Sequence, residues 1–296
     1  MKLNNLKSFP ENRLKSLFGL EANILAQVVI KVLPALEKQR EQRLRTSPER
    51  KRRFITRDGR PPEMLPIHKL LMTLFYLRHN TSATVVGQMF GFSADSVEKN
   101  ALPEVLAVLK ELFPASRWEA VKRHRNEKWN PAEVDKIIVD SFETPIPRPS
   151  LNDRQKRVYS GKKKRHTLKT QIITDHQGKI LDVNSGHRGP KADVKIWNET
   201  ELPEELKEKP KLGDKAYLGA GKPTQIPKKK PKGGELSEAE KAANKQISQE
   251  RIYVEHAIRK VKGFRVVRDE YRLTQGIFPT VVAVIVGLLQ FSDLMN

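Results

Sequence analysis

No cysteine occurs among the 296 residues, which excludes disulfides, thiolate zinc sites and a thiol nucleophile and leaves metal binding to carboxylates and histidines. Negative charge is scarce as well. Against 56 Lys and Arg stand 35 Asp and Glu, a formal net charge of +21 with a pI near 10.0. An imbalance of that size favours a polyanionic partner over small metabolites. Long apolar runs are also missing. The most apolar stretch, Ile277 to Phe291, falls short of the ~20 residues a spanning helix needs and carries Pro279 near its start, so it reads as a buried final helix rather than a membrane segment. The opening MKLNNLKSFPENRLKS has no continuous apolar core of a secretory signal. The 7 histidines show no tight ligand spacing, which speaks against a structural zinc site.

What is present falls into two patterns. From about Leu20 to Leu44 apolar residues recur at helical spacing and end in a charged run, with Pro34 starting a new turn or kinking the helix. Between Met64 and Phe113 the apolar face of Leu70, Leu71, Leu74, Phe75 and Leu77 marks a supporting helix. Thr81 or Ser82 can cap a second helix that ends at Gly91, and Ser93 can cap a third, ADSVEKNAL. This spacing fits a helix-turn-helix, with Ala94, Asp95, Val97, Glu98 and Lys99 on or near the helix that would enter a DNA major groove. A purely structural bundle would show the same spacing.

From about Asp135 the period changes from that of helices to that of strands. DKIIVDSFETPI reads as an apolar strand with Asp140 where it gives out, and TLKTQIITDHQGKILDVNSG as a hairpin turned at Gln177 and Gly178. A short helix, ADVKIWNETEL, precedes a fourth strand in KPKLGDKAYLG that ends near Asp214. Ser237 to Gly263 is helical by pattern, and the apolar terminal helix follows. Three antiparallel strands, a helix, a further strand and then helices describe an α/β fold, a mixed sheet covered on both faces in the order of a ribonuclease H-like core, preceded by an all-α region.

In that arrangement Asp140, Asp214 and Glu255 can meet at one sheet edge, where carboxylates could share two hard cations about 3.5 to 4 Å apart for chemistry on a phosphodiester. Each acid also has a local explanation. Asp140 can serve the turn beginning at Pro145, Asp214 a turn before Tyr217, and Glu255 ion pairs with Arg251 and Arg259, each four residues away on its helix.

The strings VDSFETPIPRP, YSGKKKRHTLKTQIITDHQGKILDVNSGHRGPKADVKIW, LGDKAY and ERIYVEHAIRKVKGF resemble the DDE transposases of the bacterial IS5 family, related to the PIF/Harbinger group, over roughly Ile67 to the C-terminus. The resemblance implies that Asp140, Asp214 and Glu255 form the catalytic, metal-binding triad, served by Mg²⁺ with Mn²⁺ able to substitute. It implies double-stranded DNA as partner, both element ends and target, handled by a homodimer or higher assembly, in a cytoplasmic, nucleoid-associated protein. Two departures stand out. Relatives commonly have a His-Asp pair where this chain has Ala192 before Asp193, and a glycine where it has Ala216. Asp193 and His187 are kept as possible auxiliary residues. The chain then divides into an N-terminal helical region (1–60), a helix-turn-helix domain (61–130) and a catalytic domain (131–296) carrying a basic loop at 222–236.

Basic tracts supply candidate DNA contacts. Lys162, Lys163, Lys164, Arg165 and Lys169 crowd the entrance to the second strand, beside Tyr159, which could stack on a base. Lys228, Lys229, Lys230 and Lys232 sit among prolines and glycines in a loop whose composition suggests disorder until DNA binds. Arg251 and Arg259 flank Glu255, Lys99 lies on the third helix of the helix-turn-helix, and Lys122, Arg123, His124 and Arg125 precede the catalytic domain. The function these features support is cleavage of element ends and transfer of the strands to target DNA. The rivals are a ribonuclease H-like nuclease or resolvase that does not join strands, and a catalytically inert DNA-binding regulator.

Overall fold

The computed structural model describes residues 10–46, 64–123, 129–221 and 224–295, and it divides into two compact units, one ending at Leu112 and the next running from Phe113 to Leu294. His124 and Arg125 lie outside the described residues, as do the side chains of Lys122 and Arg123.

The first unit is entirely helical: α1 (Glu11–Phe18), α2 (Ala22–Thr46, with Pro34 inside it), α3 (Pro66–His79), α4 (Ala83–Phe90), and a π-helical turn, Ser96–Ala101, that runs directly into α5 (Leu102–Leu112). Its punctuation is chemical. Ser82 accepts a hydrogen bond from the Val85 N–H at the start of α4, and Gly91 ends that helix in the left-handed conformation, φ 82°. Ser93 accepts from the Ser96 N–H and opens the next helix. That third helix does not stop after ADSVEKNAL. Pro103 cannot donate to a carbonyl one turn back; the wider π turn before it, closed by the Leu102 N–H on the Val97 carbonyl, runs into the proline without a break, and the helix continues to Leu112. Lys99 is exposed and paired with Asp95 at 2.7 Å.

The second unit holds α6 (Arg117–Arg123), β1 (Ile137–Pro145), α7 (Asn152–Val158), β2 (Tyr159–Ser160), β3 (Arg165–Asp175), β4 (Ile180–Arg188), α8 (Asp193–Asn198), α9 (Glu204–Lys207), β5 (Lys211–Leu212), β6 (Thr224–Gln225), α10 (Glu238–Lys262), α11 (Arg265–Arg268) and α12 (Phe278–Met295). The six strands form one mixed sheet: β3 pairs antiparallel with β1, β2 and β4, while β5 joins β1 and β6 in parallel. With its flanking helices this is an α/β sheet consistent with a ribonuclease H-like fold.

β1 sets the two faces. Ile137 and Val139 point into a core with Ile173, Leu181, Trp197, Leu206 and Tyr217. The intervening residues face α10 and α11: Asp140 meets Arg251, Phe142 lies under Lys262, and the Thr144 hydroxyl donates to the Val267 carbonyl at 2.6 Å. Asp140 therefore sits inside β1, not at its end. The strand outlasts the acid because β3 pairs with it as far as Pro145, which has no N–H to extend the ladder and whose carbonyl accepts from the Tyr271 N–H. β5, in turn, is only two residues long and stops before Asp214.

Ser237 and Glu240 close a capping box at the start of α10, and Gly263 ends it. α10 lies so near the β3–β4 turn that a Cβ on Gly178, itself at φ 82°, would come within 3.2 Å of the Tyr253 carbonyl oxygen. α12 is long and apolar enough to cross a membrane by length and composition, yet its Val281, Val282, Val284, Ile285 and Val286 are buried within the protein.

Candidate active site

The strand register brings two acids together before any side chain is considered. Ile138 stands opposite Leu212 in the parallel β1–β5 pair, so Asp140 and Asp214, each two residues further on, leave the pair side by side. Asp214 caps a 3₁₀ turn, Lys215–Tyr217, with Oδ1 accepting from the Ala216 N–H at 2.8 Å. Alanine serves there because the turn is right-handed. Gly213 is held to its identity by space, since an added Cβ would stand 2.9 Å from the Tyr217 ring. The Tyr217 hydroxyl is anchored between Ser141 Oγ at 2.9 Å and Gln171 Nε2 at 3.1 Å, and burial pushes its pKa well up.

Helix α10 supplies the rest. Arg251, Glu255 and Lys262 follow at intervals of four and seven residues, which places them on one helical face. Arg251 donates to Asp140 Oδ2 at 3.0 Å and lies 4.0 Å from Glu255 Oε1. Its Nε is buried with no hydrogen-bond partner among the described residues. Glu255 is half exposed, whereas Arg251 and Asp140 are largely shielded. Burial raises the Asp140 pKa, nearby Asp214 adds to the rise, and the Arg251 charge opposes both. Lys262 stands over the Phe142 ring at 5.1 Å, and burial lowers its pKa, with Lys163 adding to the effect. The cationic turn between β2 and β3, carrying Lys162, Lys163 and Lys164, thus lies within electrostatic reach of the acids' face. Lys162, Lys163, Lys164 and Arg165 are exposed.

Among the described residues no group of three His, Asp or Glu side chains is close enough as they stand to hold a metal ion. The chemistry of the donor set nevertheless fits a hard divalent cation: three carboxylates from a strand, the turn after its parallel neighbour, and the crossing helix, with a guanidinium now partnering two of them. Arg259 is exposed on the same helix.

Several residues singled out from sequence sit elsewhere. Asp193 points to the opposite face of the sheet and pairs with Lys169 at 3.0 Å. Lys169 is itself buried and also donates to the Lys191 carbonyl at 2.6 Å, so its charge is committed inside the protein rather than offered to DNA. His187 bonds Asn184 Oδ1 at 2.7 Å, and burial lowers its pKa. The basic loop is not loose where it is described. Asn244 of α10 clamps it, accepting from the Lys228 N–H at 2.8 Å and donating to the Lys228 carbonyl at 3.0 Å, while the Lys228 ammonium reaches Glu240. Lys230 pairs with Glu235 at 3.6 Å, and Lys229 is exposed. Lys262 and the Tyr217 network were not anticipated, although the spacing from Glu255 to Lys262 is readable once the helix is assigned.

Residues 139–290 match the family of DDE superfamily endonucleases, a span that includes all three acids. The chain is 26% identical over 278 residues to a probable transposase for insertion sequence element IS702 from Microchaete diplosiphon, covering 92% of this chain and 91% of that one. It is 23% identical over 215 residues to a putative transposase for insertion sequence element IS112 from Streptomyces albus G, covering 72% of this chain and 75% of the other. No solved structure matches it.

Proposed function

The chain belongs to the DDE superfamily endonucleases, and on that premise we propose that it is a DNA transposase that cuts the ends of its own insertion sequence and joins the freed 3′ hydroxyls to target DNA. The observation that carries this reading is the convergence of Asp140, Asp214 and the Arg251–Glu255 face of α10 beside a cationic turn. Asp140, Asp214 and Glu255 would hold divalent cations, Mg²⁺ with Mn²⁺ as substitute. When bound, such cations act as Lewis acids at the reacting phosphate and make water or a 3′ hydroxyl a stronger nucleophile.

The protein's own residues do the remainder. Tyr217, fixed by Ser141 and Gln171, holds the turn that presents Asp214. Arg251 offsets part of the cost of burying the Asp140 carboxylate and stands between it and Glu255. Lys262 and the lysines of the β2–β3 turn offer ammonium groups to the phosphates on either side of the cleaved bond. Residues 61–130, through the helix-turn-helix of α3, α4 and the helix leading into α5, bind the terminal inverted repeats. A homodimer or larger assembly brings two ends together.

The test is incubation of the purified protein with Mg²⁺ and DNA carrying the repeats that flank its coding region, scoring cleavage and joined product for wild type and Asp214→Asn. Metal-dependent cutting and joining, both lost in the variant, support a transposase. Cutting without a joined product points to a nuclease, and binding with neither to a regulator.

A further inference from the structure

Beyond Pro145, on the face of β1 that carries Asp140, a cleft of about 630 Å³ opens between the loop after β1, helix α7, the end of β4 and the segment before α12. Five arginines line it: Arg148, Arg154, Arg157, Arg188 and Arg272. Among the described residues no acidic side chain lines it. The guanidinium of Arg148 donates to Gln155 at 3.0 Å, and those of Arg154, Arg157, Arg188 and Arg272 have no partner among the described residues. Arginines from four separate segments gathered around one hollow repel one another, and a polyanion seated among them turns that repulsion into attraction.

The cleft is also in line with the acids. Arg251 stands at Asp140, Lys262 at Phe142, and the cleft wall begins where the Tyr271 N–H meets the Pro145 carbonyl at 2.9 Å, so positive groups succeed one another along a single face of β1. Five residues of strand from Asp140 to Pro145 span about 17 Å, which at ~3.4 Å per nucleotide of one strand is about five nucleotides. We propose that this arginine cleft is a second phosphodiester-binding site, gripping the DNA backbone about five nucleotides from the reacting phosphate. The proposal rests on the DNA-cleaving reading of the acids and extends it. A strand of DNA fits better than a free nucleotide, because all five arginines are exposed and the lining aromatic, Tyr271, is buried and offers no face for a base.

The test compares the wild-type protein with the double variant Arg154→Gln/Arg272→Gln and the double variant Arg154→Lys/Arg272→Lys on two duplexes, one extending about ten base pairs past the cleavage position and one about two. On the long duplex the glutamine variant is expected to lose about 1.8 from the slope of log affinity against log salt, as for two lost phosphate contacts, while the lysine variant keeps it. On the short duplex all three proteins are expected to bind and cut alike. Equal slopes for wild type and the glutamine variant on the long duplex would overturn the proposal. So would a glutamine variant that binds DNA normally but loses the thermal stabilisation that a deoxynucleoside triphosphate gives the wild type, which would make the cleft a nucleotide site. If the wild type neither binds nor cuts either duplex, it is the catalytic reading that fails, and the cleft proposal falls with it.

Discussion

Arg251 and Asp140, 111 residues apart in sequence, are joined by a 3.0 Å hydrogen bond that ties helix α10 to the middle strand of the sheet. Both are largely shielded from solvent, and the same guanidinium reaches Glu255. Removing the arginine leaves a shielded carboxylate beside Asp214 without its hydrogen-bonded counter-charge, and with only the more distant Lys262 to offset it. Arg251→Met is therefore expected to cost about 3 kcal/mol in metal-free buffer at neutral pH, and markedly less when Asp140→Asn is already present. Denaturant unfolding of the two single variants and the double variant measures this directly; additive effects would mean that the pair does not couple.

Asp182, partly buried on β4, has its pKa pushed up to about 7, chiefly by burial and also by Glu119, against a hydrogen bond from the Val183 N–H. A carboxyl that holds its proton more tightly when folded contributes stability that is fully present below about pH 4 and fades as the pH climbs through about 7. Asp182→Asn abolishes that dependence. Its melting temperature at about pH 8 should exceed the wild type's by a few degrees, and the gap should close near pH 4. Thermal melts across that range decide the matter, and a constant difference at every pH would assign the effect to packing alone.

Tyr217→Phe deletes the hydroxyl shared by Ser141 and Gln171 without emptying the core. The expected loss is about 1 to 3 kcal/mol, since Gln171 is buried and would lose a partner. Gly213→Ala should be comparably harmful for a different reason, the 2.9 Å approach of its new Cβ to the Tyr217 ring. If the two combined are no worse than either alone, they act on the same turn; urea unfolding provides the comparison.

Asn244→Ala should release the lysine-rich loop. With both backbone bonds to Lys228 gone, trypsin is expected to cut between Lys228 and Lys232 several times faster, with the rest of the digest unchanged. Unaltered cleavage rates would show that the clamp does not restrain the loop.

How legible all this was depends on the range of the interaction. Ser82, Gly91, Ser93 and Ser237 mark their helix ends by local chemistry, and a single sequence exposes them. The mixed α/β class followed from the alternation of strands and helices, whereas the two-residue strands β2 and β6 are too short to show a period. Asp140 lies inside β1 rather than at its end, and a carboxylate closing an apolar run, with Pro145 five residues on, looks like a strand end unless the pairing of β3 is known. Likewise Arg251 has an obvious local partner in Glu255, four residues on, while its closer contact is with a residue on another element that only the packing of α10 on the sheet brings near. Composition suggests disorder for the loop around Lys228, and a single asparagine on the helix that follows it decides otherwise.

The central claim is that Asp140 and Asp214 touch a catalytic metal ion, and the absence of cysteine from the chain provides a clean test. Asp140→Cys and Asp214→Cys each introduce the protein's only thiol, a ligand that tolerates Mn²⁺ far better than Mg²⁺. Cleavage of element-end DNA by each variant should be lost in Mg²⁺ and restored at least in part by Mn²⁺, with wild type active in both. Full activity of either variant in Mg²⁺, or cleavage by the wild type after complete removal of divalent ions, would contradict the account.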